Sequence, residues 1–231
     1  MARMVAEASG EGLLSKLGRL ADPRGNRGRR YPLDGLLAML ILGALNGEKS
    51  LRGMWIWGCK HWQSLRRPLG LVGNPRPPAY ATLWYVLSAL PSDALNEALQ
   101  EWTLSWSGEQ VRSVSVDGKV LRGSRRKSPA QSAAEVIAAA GQEVGVVLAQ
   151  REVCEGDAIT AAIELLKGMP LQGMVVTADA GLLCRQVVDT ILEGGGDYLG
   201  VVKENRPEVK KAVDDWVEPE VFPPGPGAST G

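Results

Sequence analysis

Two aspartates and a cluster of cations are the residues of this sequence whose types and spacing could perform chemistry. Asp117 follows the valine-rich stretch 111–116, which reads as a strand, and Asp179 follows a second strand-like stretch, 173–178. Carboxylates at strand ends can hold Mg²⁺ or Mn²⁺, which prefer oxygen ligands. Two such ions about 4 Å apart can activate a water or a 3′-hydroxyl for attack on a phosphodiester. Cations that could neutralise backbone phosphates follow Asp117 within ten residues: Lys119, Arg122, Arg125, Arg126 and Lys127.

Each of these residues also has a simpler structural explanation. An aspartate at a strand end is more often a turn former or a helix cap, and Asp179 could cap the helix that follows it. A basic run is usually a solvated loop. The spacing alone therefore leaves both interpretations open.

Composition limits the class of protein. The 231 residues are 45% hydrophobic and 23% charged, which is typical of a globular protein, and the net charge is zero. The charge is uneven: +4 in residues 1–110, +5 in 111–127 and −9 in 128–231. Three widely spaced cysteines and one histidine, His61, exclude a disulfide framework and a multi-histidine metal site. The start of the chain lacks the pattern of a signal peptide, and its apolar runs are short, so we expect a cytoplasmic protein that does not enter a membrane.

The hydrophobic pattern predicts an α+β protein in two parts. Residues 1–108 read as a helical N-terminal domain, which we interpret as DNA-binding, with helices in five ranges: 11–22, 33–47, 49–67, 79–90 and 91–108. Residues 109–218 read as an α/β domain with a mixed sheet, and 219–231 as a disordered Pro/Gly-rich tail.

The order of elements in the second part predicts the site. Strands are expected at 111–117, 135–141, 143–153, 173–179 and 197–205, with helices at 157–169, 182–196 and 207–218. A three-strand meander followed by right-handed α/β crossovers is the order of a ribonuclease H-like domain. Its first and fourth strands lie parallel and adjacent, so the sequence predicts that Asp117 and Asp179 meet at their carboxyl ends.

Several motifs, in order, also carry a family resemblance. "VSVDGKVLRGSRR", "GVVLAQREV", "VVTADAG" and "GGGDYLGVVKENRP" resemble the H-repeat-associated group of DDE insertion-sequence transposases, as do "DPRGNRGRRYPLDGLLAMLILGALNGEKSLRGM" and "PPAYATLWYVLSAL". The resemblance implies metal-dependent DNA strand cleavage and transfer by an Asp, Asp, Glu triad that binds Mg²⁺ or Mn²⁺. Asp117 matches the first acid and Asp179 the second. The implied partners are double-stranded DNA, both transposon ends and target, and further copies of the chain.

The sequence also departs from that family. The third acid, a Glu, lies beyond the "DYLGVVKEN" strand in the family, and none of Glu204, Glu208, Glu218 and Glu220 sits in its motif. The family tends to have a His after the second Asp, where this chain reads "GLLCRQ", and often a Glu where Ala158 stands. These differences predict a C-terminally truncated catalytic domain with weak or no activity by itself.

The DNA contacts and two other functions complete the expectations. The basic turn with Arg27, Arg29 and Arg30 is the best candidate for backbone contact in the helical half, beside Lys119, Arg122, Arg125 and Arg126 in the second half. The alternatives are a non-catalytic DNA-binding remnant of a transposase and an unrelated ribonuclease H-like nuclease.

Overall fold

The structure is a computed structural model, and it describes residues 12–107, 110–121, 133–153, 157–182, 184–200 and 207–216. The first half is helical, as predicted. Its helices are α1 (Leu13–Gly18), α2 (Leu33–Leu45), α3 (Leu51–Lys60), α4 (Trp62–Leu65), α5 (Tyr80–Ala89) and α6 (Ser92–Ser107). The single helix expected at 49–67 is two helices, because α3 ends at Lys60 and α4 starts at Trp62.

Helix α2 is the centre of the core of this half. It starts after Pro32 and ends at Leu45, before Asn46, and most of its apolar side chains are buried among residues of α1, α4 and α5. Trp62 packs into the same core, and its indole N–H donates to the carbonyl of Pro75 at 3.2 Å. The Pro-rich segment is thereby tied to α4, which satisfies a buried polar group.

The second half contains a five-stranded mixed sheet. Its strands are β1 (Ser113–Val120), β2 (Glu135–Gly141), β3 (Val146–Glu152), β4 (Val175–Ala178) and β5 (Asp197–Gly200), in the spatial order β3-β2-β1-β4-β5. The first three strands pair antiparallel, whereas β4 pairs parallel with both β1 and β5. The prediction that the first and fourth strands are parallel neighbours is confirmed. Helices α7 (Ala158–Lys167), α8 (Arg185–Glu193) and α9 (Pro207–Trp216) complete the described elements.

One face of the sheet carries the core of this half. Val114, Val116 and Val176 are buried there among residues of α7 and α8. Alternation along the strands gives the opposite face a different character. Its apolar side chains Val147, Val175 and Leu199 are exposed, and the described side chains of α9 are exposed as well. Within the described residues, helices therefore cover the sheet on one face.

Helix α6 links the two halves along the edge strand β3. The Gln150 Nε2 atom donates to the Asn96 Oδ1 atom at 2.8 Å, and the Gln100 Nε2 atom donates to the Gly168 carbonyl at 2.7 Å. Gln100 and Asn96 lie on α6, and Gln150 lies on β3. These bonds hold the helical half against the sheet. Among the described residues, no helix has the length and apolar character needed to cross a bilayer.

Candidate functional site

The parallel register of β1 and β4 brings the two predicted acids to neighbouring positions. Val116 pairs with Ala178 as the last pair of this ladder, and Asp117 and Asp179 are the next residues of their chains. Strands in a sheet lie about 4.8 Å apart, so the two backbones are near neighbours at this point. Both aspartates are exposed. The structure therefore places two exposed aspartates at neighbouring backbone positions, where β4 ends.

The prediction that Asp117 ends the first strand is wrong. Strand β1 continues through Val120, and residues 117–120 keep their pairing with β2, with Asp117 opposite Ala138. The partner strand supplies backbone hydrogen bonds to this stretch, which outweigh the low strand propensity of Asp and Gly. Asp117 thus lies on a paired strand at the point where β4 has already ended. One acid is held by a strand on one side, and the other follows the last residue of β4.

Alternation places Asp117 on the exposed face of the sheet. Its neighbours Val114 and Val116 point to the buried face, so Asp117 shares the other face with Ser115 and Lys119. Ser115 is paired with Thr177 of β4. This face therefore carries the short polar side chains Ser115 and Thr177 next to the two acids.

Hydrogen bonds near Ser113, at the start of β1, connect β1 and β4 to the turn between β2 and β3. The Gln142 Nε2 atom donates to the Thr177 hydroxyl at 3.3 Å, and the Ser113 hydroxyl donates to the Glu143 Oε1 atom at 2.9 Å. The pKa of Glu143 is lowered mainly by a hydrogen bond from its own backbone N–H. The Ser113 hydroxyl and other backbone N–H groups lower it further. The Glu143 carboxylate is therefore kept ionised in the turn between β2 and β3.

The segment after Asp179 turns tightly before α8 begins. Residues Ala180–Leu182 form a 3₁₀ turn in which the Leu182 N–H donates to the Asp179 carbonyl at 2.9 Å. The Leu182 side chain is buried in the core of the sheet half. This anchor fixes the backbone immediately after the second acid.

Tyr198 is a residue near the site that the sequence pattern did not indicate. It lies on β5 opposite Val176, and its side-chain oxygen is buried. Burial raises the pKa of the Tyr198 hydroxyl, and the Cys184 thiol and the Asp179 carboxylate raise it further. A tyrosine on the buried face of an edge strand gives no functional signal in a sequence, because core packing explains it equally well.

The cations predicted beside Asp117 are described in part. Lys119 is exposed and lies two residues beyond Asp117 on the same face of the sheet. Arg122, Arg125 and Arg126 lie outside the described residues, so their role stays a prediction. Lys119 alone already places one positive charge beside the acids on the open side of the sheet.

The basic turn of the helical half is built around Arg24 and Asp22. The Arg24 guanidinium donates to both carboxylate oxygens of Asp22, at 2.9 and 2.8 Å, and also to the Tyr31 carbonyl at 2.7 Å. Hydrogen bonding and the charge of Arg24 lower the pKa of Asp22. Arg29 donates to the Arg24 carbonyl at 2.9 Å, so its side chain belongs in part to the turn itself.

Two other arginines of this turn differ from Arg29. Arg27 and Arg30 are exposed, and within the described residues their guanidinium groups have no hydrogen bond or ion pair. Their guanidinium groups are therefore available to bind a phosphate group. Arg29 would have to give up its hydrogen bonds to the turn before it could bind a phosphate.

The donor set at the acids suits a hard divalent cation. Asp117 and Asp179 offer exposed carboxylate oxygens from adjacent backbone positions, the ligand chemistry that Mg²⁺ and Mn²⁺ prefer. In the described part of the chain, no group of three or more His, Cys, Asp or Glu side chains is positioned to hold a metal ion. In the described part of the chain, Asp117 and Asp179 are the two residues at this position that could hold such an ion.

Comparisons with known proteins agree with the resemblance seen in the motifs. A family model described as "DDE_Tnp_1-associated" matches residues 14–103. In Escherichia coli (strain K12), the "H repeat-associated putative transposase YbfD" and "YhhI" are each 27% identical to this chain over 187 residues, and the "Putative protein YbfL" is 28% identical over 187 residues. The matches cover 80% of this chain and 73%, 49% and 49% of those proteins. The chain thus spans about half the length of two of them.

These matches confirm the predicted resemblance of this chain to the H-repeat-associated transposases. A solved structure, "Cryo-EM structure of piggyBac transposase synaptic complex with hairpin DNA", is 10% identical over 89% of this chain and 51% of that one, with a TM-score of 0.40.

Proposed function

We propose that this chain is a DDE-type transposase component that acts in metal-dependent cleavage and transfer of DNA strands. The observation that carries the proposal is the parallel register of β1 and β4, which sets Asp117 beside Asp179. These are the two positions that match the first and second acids of the family. Agreement between a motif match and an independent structural adjacency supports a shared site more strongly than either does alone.

The proposal includes a ribonuclease H-like fold for the second half. The spatial order β3-β2-β1-β4-β5, with antiparallel β1–β3 and parallel β1, β4 and β5, supports it. In open α/β sheets, sites lie outside the carboxyl ends of the parallel strands. The two acids lie at that end of β4.

Asp117 and Asp179 would hold a Mg²⁺ or Mn²⁺ ion between their exposed carboxylates. An ion bound there would supply Lewis-acid activation of an attacking oxygen and would stabilise the leaving oxygen of a phosphodiester. The protein's own part is to fix both carboxylates on one edge of the sheet. Lys119, on the same face, neutralises a phosphate of the strand being cut.

Double-stranded DNA is the proposed partner, including transposon ends and target. The exposed Arg27 and Arg30 would contact its backbone from the helical half, with Arg29 in support. Arg122, Arg125 and Arg126 are the further proposed contacts beside the acids. Contacts of this kind position a duplex without reading its sequence.

Two carboxylates make the expected activity of this chain low. A two-ion site generally needs a third ligand to fix its geometry, and an error of about 1 Å in a reacting centre costs on the order of a hundredfold in rate. The second candidate function is a non-catalytic DNA-binding protein, which the exposed Arg27 and Arg30 of the helical half favour because they could contact DNA without the acids.

The first test is Mn²⁺ binding, measured from the electron paramagnetic resonance signal of free Mn²⁺ during a titration of the full chain. We expect the Asp117→Asn and Asp179→Asn variants each to lose the binding. Asp197→Asn is the matched control, because Asp197 is also an exposed aspartate of this sheet but lies at the start of β5. The control should bind as the unsubstituted protein does.

The second test is nicking of supercoiled plasmid in Mn²⁺. Nicking that depends on Mn²⁺ and disappears in Asp117→Asn supports a transposase-type enzyme. DNA binding without nicking, together with Mn²⁺ binding, supports the non-catalytic candidate. Nicking that persists in Asp117→Asn, or a complete lack of Mn²⁺ binding, would overturn the proposed site.

A further inference from the structure

The Tyr198 hydroxyl is a buried polar group without a partner. Its oxygen is buried, and in the described part of the chain it makes no hydrogen bond. Folded proteins rarely leave such a group unpaired, because its lost hydration is not replaced. The other described side-chain atom of this kind is Trp106 Nε1, on α6. Tyr198 differs from Trp106 because it lies on β5, the strand that pairs with β4 up to Ala178, the residue before Asp179.

The sheet register shows where this hydroxyl lies. Tyr198 pairs with Val176 of β4, and Gly200 pairs with Ala178. The tyrosine side chain extends along its own strand to Gly200, since a Cβ atom added there would be 2.7 Å from the Tyr198 hydroxyl oxygen. The hydroxyl is therefore level with the Ala178–Gly200 pair, one residue before Asp179.

Glycine at position 200 is what permits this placement. The same added Cβ atom would come within 2.5 Å of the Tyr198 Cε1 atom and 2.8 Å of its Cζ atom, closer than real Cβ contacts. Any other residue would push the ring away from the end of β4. The missing side chain at Gly200 thus leaves the space that the Tyr198 ring occupies.

We propose that Tyr198 is a positioning residue for Asp179. Its hydroxyl donates a hydrogen bond to one Asp179 carboxylate oxygen when the other oxygen binds a divalent cation. This inference rests on the proposed function. A carboxylate has acceptor sites on both oxygens, so it can bind an ion and accept a hydrogen bond together. Partners of this outer kind orient metal ligands, and their loss typically weakens metal binding 10- to 100-fold.

The test compares Tyr198→Phe with the unsubstituted full chain. Phenylalanine keeps the ring and removes only the hydroxyl. We expect the Mn²⁺ dissociation constant to rise about 10- to 100-fold. The melting temperature of the metal-free protein should stay the same or rise, because the removed hydroxyl has no partner in that state. Tyr85→Phe is the matched control, since Tyr85 is an exposed tyrosine of α5, and it should change neither quantity.

A second variant tests whether the ring position over Gly200 matters. Gly200→Ala displaces the ring while the hydroxyl remains in the chain, and it should weaken Mn²⁺ binding as Tyr198→Phe does. The inference is supported only if Mn²⁺ affinity falls in Tyr198→Phe while the metal-free melting temperature does not fall. Any other combination overturns it. If Asp117→Asn abolishes Mn²⁺ binding and Tyr198→Phe does not weaken it, the inference fails and the proposed site stands. If the unsubstituted protein binds no Mn²⁺, both fail.

Discussion

Val116 of β1 pairs with Ala178 of β4 in parallel register, and both side chains are buried on the same face of the sheet. This pair sets the relation between the two acids, because each is the residue that follows it. The buried face fixes the register, since a slip of one residue would turn Val116 outward and Asp117 into the core. Packing on the buried face therefore determines which residues of β1 and β4 become neighbours at the end of the ladder.

The assignment of the two sheet faces can be tested with adjacent valines of β4. Val176 is fully buried and Val175 is 36% exposed. We expect Val176→Ala to lower the free energy of unfolding by about 1.5–3 kcal/mol, because it removes buried methyl groups. Val175→Ala should cost clearly less. Urea denaturation of both variants measures the difference, and equal losses would show that the faces are wrongly assigned.

Glycines in two helices offer a second matched comparison. A Cβ atom added at Gly35 of α2 would meet the Leu69 carbonyl oxygen and, at 2.8 Å, the Leu71 Cδ2 atom. Since a backbone atom cannot easily move aside, we expect Gly35→Ala to destabilise the protein by about 1–3 kcal/mol. Nothing lies within 4 Å of such an atom at Gly18 of α1. Thermal unfolding of Gly18→Ala should show no loss, and a loss equal to that of Gly35→Ala would contradict the close approach.

The Asp22–Arg24 pair predicts a dependence of stability on pH. The pKa of Asp22 is lowered in the folded protein, first by its hydrogen bond to Arg24. A carboxylate of this kind stabilises the fold above its unfolded pKa, near 3.8, and this stabilisation is lost as the pH falls through the lower folded value. Melting temperatures between pH 7 and pH 2 should therefore fall less steeply in Asp22→Asn. Identical acid profiles for the two proteins would show that the pair contributes nothing.

The basic turn predicts a salt-dependent contact with DNA. The double variant Arg27→Ala, Arg30→Ala should bind duplex DNA more weakly regardless of sequence. The slope of log affinity against log salt should shrink by about 2, one for each phosphate contact. Fluorescence anisotropy at several salt concentrations measures this slope. Arg185→Ala is the control, because Arg185 is 93% exposed on α8 and pairs with Asp189 on its own helix. A slope unchanged in the double variant would exclude the turn from the interface.

The sheet was predictable from local patterns because its elements are short and clearly bounded. Gly141 and Gly145 bracket the turn between β2 and β3, and the glycines after Glu193 end α8, so each boundary has a local cause. The parallel neighbours followed from the order of strands and helices, since right-handed crossovers allow few arrangements. The position of Asp117 beside Asp179 is a consequence of that order.

The features that the sequence did not predict depend on contacts between distant segments. The end of β1 is set by its pairing with β2, which no pattern within residues 111–120 reveals. The break between α3 and α4 at His61 occurs in a stretch of continuous helical periodicity. Tyr198 becomes relevant only through Gly200 and the neighbouring strand. Tertiary packing overrides local preference at each of these positions.

Parallel pairing between β1 and β4 also has a kinetic consequence. About sixty residues separate the two acids, and a parallel pair cannot be closed by a hairpin. The meander and α7 must be placed first, so loop-closure entropy delays this contact relative to the local ones. Before this contact forms, the chain contains both carboxylates but does not yet hold them together. Divalent ions would therefore act on this chain as ligands of its late-folding state, stabilising the completed sheet without accelerating its early steps.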